Sequence, residues 1–231
     1  MCGRYTLLPN ADDLVEFFQL PHEFFALLEP RYNIAPTQPV LVIHEQNQKR
    51  HAEHMLWGLI PSWSKDAKPN ASLINARGDT LTQKPSFRAS FKRRRCIIPA
   101  TGFYEWQTRG KTKHAFYIQP AHDKFFAFAG LWDEWHGPNG ESIRSGSIIT
   151  TDANSLMQAF HDRMPVILQK KDFGQWLDSA NETAETLTSL LQPFAPTEMR
   201  VSPVSNFVNS ARNQGPKCLE PAAPGPTTLF D

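Results

Sequence analysis

This chain of 231 residues, 40% of them hydrophobic and 20% charged, has the size and composition of one globular domain, and its formal net charge of +1 argues against a protein that coats nucleic acid by bulk charge. It holds no apolar run of about 18 residues, the length that a membrane-spanning helix needs. The N-terminus also lacks the basic and apolar segments of a signal peptide, so we expect a cytoplasmic protein without membrane contact.

The predicted elements begin with a short helix. Asn10 is suited to cap it, Asp12 and Asp13 favour its first turn, and Leu14 and Phe17 follow at helical spacing. Beyond a polar turn around residue 47, strands dominate the middle of the chain. Their patterns predict strands at 40–43, 55–57, 95–98, 102–107, 114–119, 125–131 and 146–151. Helices are predicted at 152–160, 171–177 and 182–191.

The order of these elements predicts the fold class. Strands outnumber helices and do not alternate with them regularly, which favours an α+β fold. We expect a single compact domain over residues 1–218, built on a β-rich, partly barrel-like sheet with peripheral helices. Residues 219–231 are rich in proline and poor in core-forming side chains, which predicts a flexible C-terminal tail.

Cysteine and histidine usage argues against a metal site. The three cysteines lack a C-x-x-C pair, so neither a disulfide framework nor a zinc knuckle is predicted and at least one thiol is free. His51 and His54 lead into a predicted strand, where a spacing of three points them to opposite faces. We expect neither a metal nor another cofactor.

Position 2 is chemically unusual. An initiator methionine before a small residue is normally removed, which would leave Cys2 at the N-terminus. Its α-amine, with a pKa of about 7.7 to 8.0, and its thiol, with a pKa of about 8.5, would then form a 1,2-aminothiol. Such a pair captures an aldehyde as an imine and closes it into a thiazolidine. Taken alone, however, Cys2 is better explained as a small buried residue of the first strand.

Three further residues suit proton transfer or positioning. In the segment 102–106, strand alternation places Glu105 on the face of Phe103 among aromatic residues, which would raise its carboxyl pKa. An edge-strand glutamate facing water is an equally good explanation. His161 follows a predicted helix and titrates in the physiological range, but a loop histidine bonded to Asp162 fits as well. Asn75 ends an apolar run and could orient an amine, or simply stabilise a turn.

A basic segment lies between Thr80 and Tyr104. It contains six cations and no acid: Lys84, Arg88, Lys92, Arg93, Arg94 and Arg95. Such a segment is more often a solvated surface than a nucleic-acid site, so it does not decide between these on its own.

Eight short motifs in order give this sequence its resemblance to a known family. They are MCGRY at 1–5, RYNIAP at 31–36, WGLIP at 57–61, INAR at 74–77, RCIIP at 95–99, GFYEW at 102–106, TTDAN at 150–154 and HDRMP at 161–165. Together they resemble the SOS response-associated peptidase family, whose members process abasic sites in DNA. The resemblance extends from residue 1 to about residue 215.

The resemblance implies a role for each matching position. Cys2, exposed by loss of Met1, would form a thiazolidine with the ring-opened abasic sugar, and Asn75 would hold the amine or the linkage. Glu105 would move protons and His161 would assist ring opening. Further positions are implied to contact DNA: Arg4, Arg77 and Thr150 at backbone phosphates, and Asn33, Pro36 and Trp63 along the DNA path.

The resemblance also implies self-cleavage before Cys2 and a strand-cleaving lyase activity through the imine. Two positions depart from the family pattern: Ser64 replaces an aromatic residue found in some relatives, and Asp79 stands where glutamate is usual. Neither affects the four implied catalytic positions.

Our leading hypothesis is a monomeric repair enzyme that shields abasic sites in single-stranded DNA by covalent attachment. We expect it in the cytoplasm, associated with the nucleoid through DNA. Replication or repair proteins are its expected but unspecified partners. One alternative is a cysteine peptidase acting in trans, with Cys2 as nucleophile and His161 as base. Another is a non-catalytic single-strand binder, for which replacement of Cys2 would leave function intact.

Overall fold

The computed structural model describes residues 2–21, 28–68, 71–181 and 183–222. Within these ranges the chain forms twelve strands and four α-helices. The strands are β1 Tyr5–Leu7, β2 Arg31–Ile34, β3 Pro39–Gln46, β4 Lys49–Trp57, β5 Asn75–Arg77, β6 Arg95–Ala100, β7 Gly102–Arg109, β8 Thr112–Pro120, β9 Phe126–His136, β10 Ser142–Asp152, β11 Arg163–Pro165 and β12 Met199–Val204. The helices are α1 Ala11–Phe18, α2 Pro85–Arg93, α3 Phe173–Leu177 and α4 Ala184–Ser189.

The strands form two sheets. The smaller sheet has the antiparallel order β12-β8-β7-β1-β2. The larger has the order β11-β10-β4-β3-β6-β9, with β5 also paired to β10. Because β9 also pairs with β10, five strands of the larger sheet close into a ring. The α+β class and the partly barrel-like sheet are therefore confirmed.

One aromatic core joins the two sheets. Tyr5 of the small sheet packs edge-on against Trp57 of β4, with ring centroids 5.3 Å apart, and against Phe128 of β9 at 6.0 Å. Phe103 of β7 also contacts Phe128, at 5.9 Å. All four side chains are fully buried. Burial of four large aromatic groups in one place stabilises the sheets as a single domain and fixes β1 beside the barrel.

The hairpin of β3 and β4 shows how local sequence sets the strand register. Asn47 and Gln48 at its tip both adopt positive φ, 52° and 59°. Two consecutive residues with positive φ form the type of two-residue turn that matches the twist of paired strands. The polar turn predicted around residue 47 is confirmed.

Most of the predicted helices are present, with one exception. Asn10 caps α1 by accepting hydrogen bonds from the Asp12 and Asp13 amides, and α3 and α4 lie within the predicted helices at 171–177 and 182–191, although Glu182 is outside the described residues. The helix predicted at 152–160 is wrong. Asp152 pairs with Arg163 as the end of β10, and only a short 3-10 turn follows, at Met157–Ala159.

Two other features differ from the sequence prediction. Helix α2 was not predicted, since its segment begins with Pro85 and has no acid in its first turn. At the C-terminus, the Ser205 amide donates to Glu220 O and the Ala222 amide to Pro203 O. The packed chain therefore extends past the predicted boundary at 218, while residues 223–231 of the predicted tail lie outside the described residues.

Candidate functional site

The pairing of β1 with β7 brings the N-terminus to Glu105. Tyr5 lies opposite Phe103, and the Tyr104 amide continues the pairing by donating to Arg4 O at 2.9 Å. Continuing this antiparallel register places Cys2 and Gly3 beside the segment of β7 that contains Glu105. The Cys2 side chain is fully buried.

Asn75 fixes the main chain of Cys2 from the larger sheet. It begins β5, which pairs in parallel with β10 through Ile148. The Asn75 amide Nδ2 donates to the Cys2 carbonyl oxygen at 3.0 Å. Its Oδ1 is buried and has no hydrogen-bond partner among the described residues. Asn75 therefore holds Cys2 in place and keeps a buried acceptor available next to it.

Glu105 is buried in an apolar setting. Only 6% of it is exposed, and its cross-strand partner is Phe116, whose ring packs against Phe160 at 4.9 Å. Burial raises the carboxyl pKa of Glu105, and the charge of His161 opposes that shift. The prediction of a carboxyl group among aromatic residues with a raised pKa is confirmed.

Electrostatics also connects Cys2 to this group. Burial raises the pKa of the Cys2 thiol well above its ordinary value, and the negative charge of Glu105 raises it further. The thiol is therefore protonated at rest. Since Glu105 acts on Cys2, His161 acts on Glu105, and Asn75 bonds to Cys2, the structure brings all four sequence-predicted residues into one site.

His161 is oriented by the backbone of β11. The Arg163 amide donates to Nδ1 of the imidazole at 2.9 Å, which in a neutral ring places the proton on Nε2. The Asp162 carboxylate lies 2.6 Å from the same Nδ1 and would require a proton there instead. Strand pairing fixes the Arg163 amide, whereas the Asp162 side chain is 86% exposed, so the backbone contact sets the orientation of the ring. His161 then offers Nε2–H as a donor.

Arg163 is a positioning residue that the sequence reasoning did not single out. Its largely buried guanidinium bonds to Thr150 O at 2.6 Å and to the Asp152 carboxylate at 3.0 Å. These contacts fasten β11 to β10 and thereby fix the amide that orients His161. In the sequence, the only sign of this role was an arginine directly before the apolar segment MPVIL.

Two of the predicted DNA contacts form part of the protein framework. Arg4 donates to Asn33 Oδ1 at 2.7 Å and to Val208 O at 3.0 Å. Asn33 is fully buried, and its amide donates to the carbonyls of Ser210 and Asn213, both at 2.9 Å. The pair therefore holds the 208–213 loop against β2, and a contact of either residue with DNA stays a prediction.

The other four predicted contacts differ in exposure. Arg77 lies on the surface in an ion pair with Asp79 at 2.7 Å, and Trp63 is 65% exposed. Pro36 is half-buried, whereas Thr150 is fully buried. Arg77 and Trp63 are thus the two whose side chains are exposed enough for a large ligand to reach.

Trp63 is exposed on an anchored loop. On one side the Ser62 amide donates to Asp133 Oδ2 at 2.9 Å, and on the other the Trp135 indole N–H donates to Ser64 O at 2.8 Å. In the free protein, an exposed aromatic ring normally gains no stability from anchoring the loop that carries it. A fixed ring does lose less conformational entropy when a planar group stacks on it.

The predicted basic segment separates into two parts. Arg95 is buried and donates to backbone carbonyls of Phe91, Lys92, Trp176, Asp178 and Asn181. Arg94 pairs with Asp133. The fold uses these two arginines to join α2 and β6 to neighbouring elements, so their guanidinium groups are bonded within the protein.

Several other features bear on the site's chemistry. Within the described ranges, no group of three or more His, Cys, Asp or Glu side chains is placed to hold a metal ion. Cys2, Cys96 and Cys218 are all buried free thiols. In the same part of the chain, every helix is too short or too polar to cross a membrane.

Comparison with known proteins finds a matching family model and named relatives. The family model described as SOS response associated peptidase matches residues 1–211. Abasic site processing protein YoqW of Bacillus subtilis is 43% identical over 223 residues, which are 95% of this chain and 99% of the relative. Abasic site processing protein HMCES of Xenopus tropicalis is 35% identical, over 83% of this chain and 66% of the relative.

A solved structure has the same fold. A protein from Bacteroides thetaiotaomicron superposes with a TM-score of 0.85 at 28% identity, over 96% of this chain and all of that one. The sequence match, the shared fold and the four assembled site residues lead to one conclusion. The chain belongs to the SOS response-associated peptidase family.

Proposed function

We propose that this protein binds abasic sites in single-stranded DNA and links itself to them through a thiazolidine formed by the α-amine and thiol of Cys2. The observation that carries the proposal is the arrangement around Cys2: Asn75 is bonded to its carbonyl, and Glu105 lies on the strand paired with β1, where its charge acts on the Cys2 thiol. The relatives named abasic site processing proteins, which match almost the whole chain, support the same substrate.

The reaction starts when loss of Met1 frees the α-amine of Cys2. This amine adds to the aldehyde carbon of the ring-opened sugar, and the resulting carbinolamine loses water to give an imine. The Cys2 sulfur then bonds to the imine carbon while the thiol proton moves to nitrogen. Two bonds to the former carbonyl carbon are made, one water is released, and no oxidant or cofactor is consumed.

Each of the other site residues serves one part of this sequence. Glu105, with its raised pKa, can take a proton from the attacking amine and return it to the departing hydroxyl group. His161 presents Nε2–H, which can donate a hydrogen bond to the sugar oxygen during ring opening. Asn75 holds the Cys2 carbonyl and leaves Oδ1 to accept from the amine or a sugar hydroxyl.

The DNA contacts follow from exposure and charge. Arg77 can pair with a backbone phosphate in place of Asp79, and Trp63 can stack on an unpaired base. Arg4, Asn33, Pro36 and Thr150 are proposed as further contacts from the resemblance to the family alone, since Asn33 and Thr150 are fully buried in the free protein. A single strand suits this surface because its bases are unstacked and the lesion is accessible.

The test is intact-mass spectrometry of the purified protein before and after incubation with an abasic single-stranded oligonucleotide. The free protein should lack Met1, and the adduct should weigh the sum of protein and DNA less one water. Cys2→Ala should form no such adduct. A Cys2→Ala variant that forms the same heat-stable adduct, or active protein that retains Met1, would refute the proposal.

The cysteine peptidase alternative is less well supported. A peptidase nucleophile needs a lowered thiol pKa, so that the thiolate is present at neutral pH. Here burial and the charge of Glu105 both raise the pKa of Cys2.

We also propose that the imine, before sulfur closes it, can break down by β-elimination and cleave the strand. This would appear as shortened DNA in Cys2→Ser, where the amine remains but the thiol is lost.

A further inference from the structure

Helix α2 carries a stripe of exposed cations. Lys84 at its N-terminal cap, Arg88 and Lys92 are spaced four residues apart and therefore lie along one face. All three side chains are exposed, and none forms an ion pair or side-chain hydrogen bond with the residues that the structure describes. We call these three residues the α2 stripe.

The stripe works against the stability of its own helix. Like charges four residues apart destabilise a helix by roughly 0.2–0.5 kcal/mol per pair. A cation at the N-terminal cap also opposes the helix dipole, and no acid in the first turn compensates for it. The helix is instead held to the barrel by Phe87 and Phe91, which are buried. The fold requires the apolar face of α2, whereas on the charged face only Lys92, in the last turn, is favourable for the helix dipole.

The stripe lies between two of the proposed DNA contacts. Its first residue follows Arg77 by seven positions, through a short 3-10 turn and one further turn. At the other end of α2, Arg94 pairs with Asp133, which also accepts from the Ser62 amide next to Trp63. At about 1.5 Å per residue, helix α2 covers about 13 Å of the distance between the Arg77 end and the Trp63 end.

We propose that the α2 stripe is a second phosphate-binding surface, which holds the DNA backbone outside the lesion. The proposal rests on the function proposed above, since it extends the path of the same strand. Three cations without protein partners complement a polymer with one negative charge per nucleotide. Binding there would release counterions, and it would not depend on base sequence.

The experiment measures non-covalent binding of undamaged single-stranded DNA at several salt concentrations. The test variant is Lys84→Ala with Arg88→Ala and Lys92→Ala. The control removes the same charge from exposed lysines of the β3–β4 and β7–β8 turns, as Lys49→Ala with Lys111→Ala and Lys113→Ala. A charge-conserving variant, Lys84→Arg with Arg88→Lys and Lys92→Arg, separates loss of charge from disturbance of the helix.

On a single strand, each neutralised phosphate contributes about 0.7 to the slope of log affinity against log salt. Removal of the three cations of the α2 stripe should therefore reduce that slope by about 2. Affinity at low salt should fall about tenfold or more, while the control and the charge-conserving variant bind like wild type. A test variant with the wild-type slope, or one matched by the control, would overturn the inference.

These outcomes are distinct from failure of the proposed function. If wild-type protein forms no adduct with abasic DNA, the proposed chemistry fails. The salt dependence of binding to undamaged DNA still reports on the stripe in that case. Thermal unfolding of all three variants shows whether α2 remains folded.

Discussion

The side-chain amide of Asn75 donates to the backbone carbonyl of Cys2 across 3.0 Å, from a strand 73 positions later in the chain. Strand β5 has only three residues, and its pairing with β10 is what presents Asn75 to the N-terminus. The contact therefore depends on the barrel, yet it acts on the first residues of the small sheet. It joins β5 of the larger sheet to the segment that precedes β1 at the proposed reaction centre.

Asn75→Ala should slow crosslinking to abasic DNA by roughly tenfold to a hundredfold, because a buried carbonyl left without its donor costs about 1–3 kcal/mol and Cys2 loses its fixed position. The rate of adduct formation on denaturing gels measures this. Asn139→Ala, in the β9–β10 turn, is a matched control that removes an exposed amide. Wild-type rates in Asn75→Ala would show that the bond does not position Cys2.

Glu105→Gln should make the protein more stable near pH 7. Burial raises the pKa of Glu105, so between the ordinary and the raised pKa the folded protein holds a proton that the unfolded chain has released. Stability from this group is therefore lost as pH rises through that window. Glutamine stays neutral and avoids the loss. Denaturant unfolding should show a gain at pH 7 that disappears at about pH 4; an equal gain at both pH values would contradict this explanation.

Iodoacetamide should modify Cys2 slowly at pH 8 and several times faster in Glu105→Gln. The reason is that the charge of Glu105 adds to burial in raising the thiol pKa, and its removal increases the thiolate fraction. Peptide mass mapping distinguishes Cys2 from Cys96, whose pKa is raised by burial alone and whose rate should not change. Equal acceleration at both cysteines would indicate general loosening of the fold.

Arg95→Lys should lower the free energy of unfolding by about 2–4 kcal/mol, because an ammonium group cannot replace a buried guanidinium that bonds to five backbone carbonyls. Chemical denaturation measures the loss. The salt dependence of DNA binding should stay as in wild type, since Arg95 is not at the surface. An unchanged free energy of unfolding in Arg95→Lys would show that these carbonyl contacts do not stabilise the fold.

Trp63→Ala should weaken binding to single-stranded DNA by about fivefold to a hundredfold, because stacking of one base on an aromatic ring is worth roughly 1–3 kcal/mol. The melting temperature should hardly change, since the ring is 65% exposed. Fluorescence anisotropy of labelled DNA measures the affinity. Phe207→Ala, which removes another exposed aromatic ring, is the control. Unchanged affinity in Trp63→Ala would exclude stacking at this position.

Several properties of this protein follow from sequence alone, because each depends on residues that are close together along the chain. Asn10 caps α1 through the amides two and three positions later, and the Asn47–Gln48 turn sets the β3–β4 register. Strand alternation likewise placed Glu105 among aromatic residues. The failure at 152–160 has a physical reason too: pairing of Asp152 with Arg163 overrides the tendency of that segment to form a helix.

Long-range contacts decided the rest. The motifs named Cys2, Asn75, Glu105 and His161, but only the closed barrel together with the pairing of β1 and β7 brings groups this far apart in sequence into one site. Tertiary structure also divided the basic segment. Arg95 turns inward because backbone carbonyls from α2, α3 and the loop beyond it converge on it, whereas Arg88, one helix face away, remains in water. Sequence determined which charges are present, and the converging carbonyls determined which of them are available to a ligand.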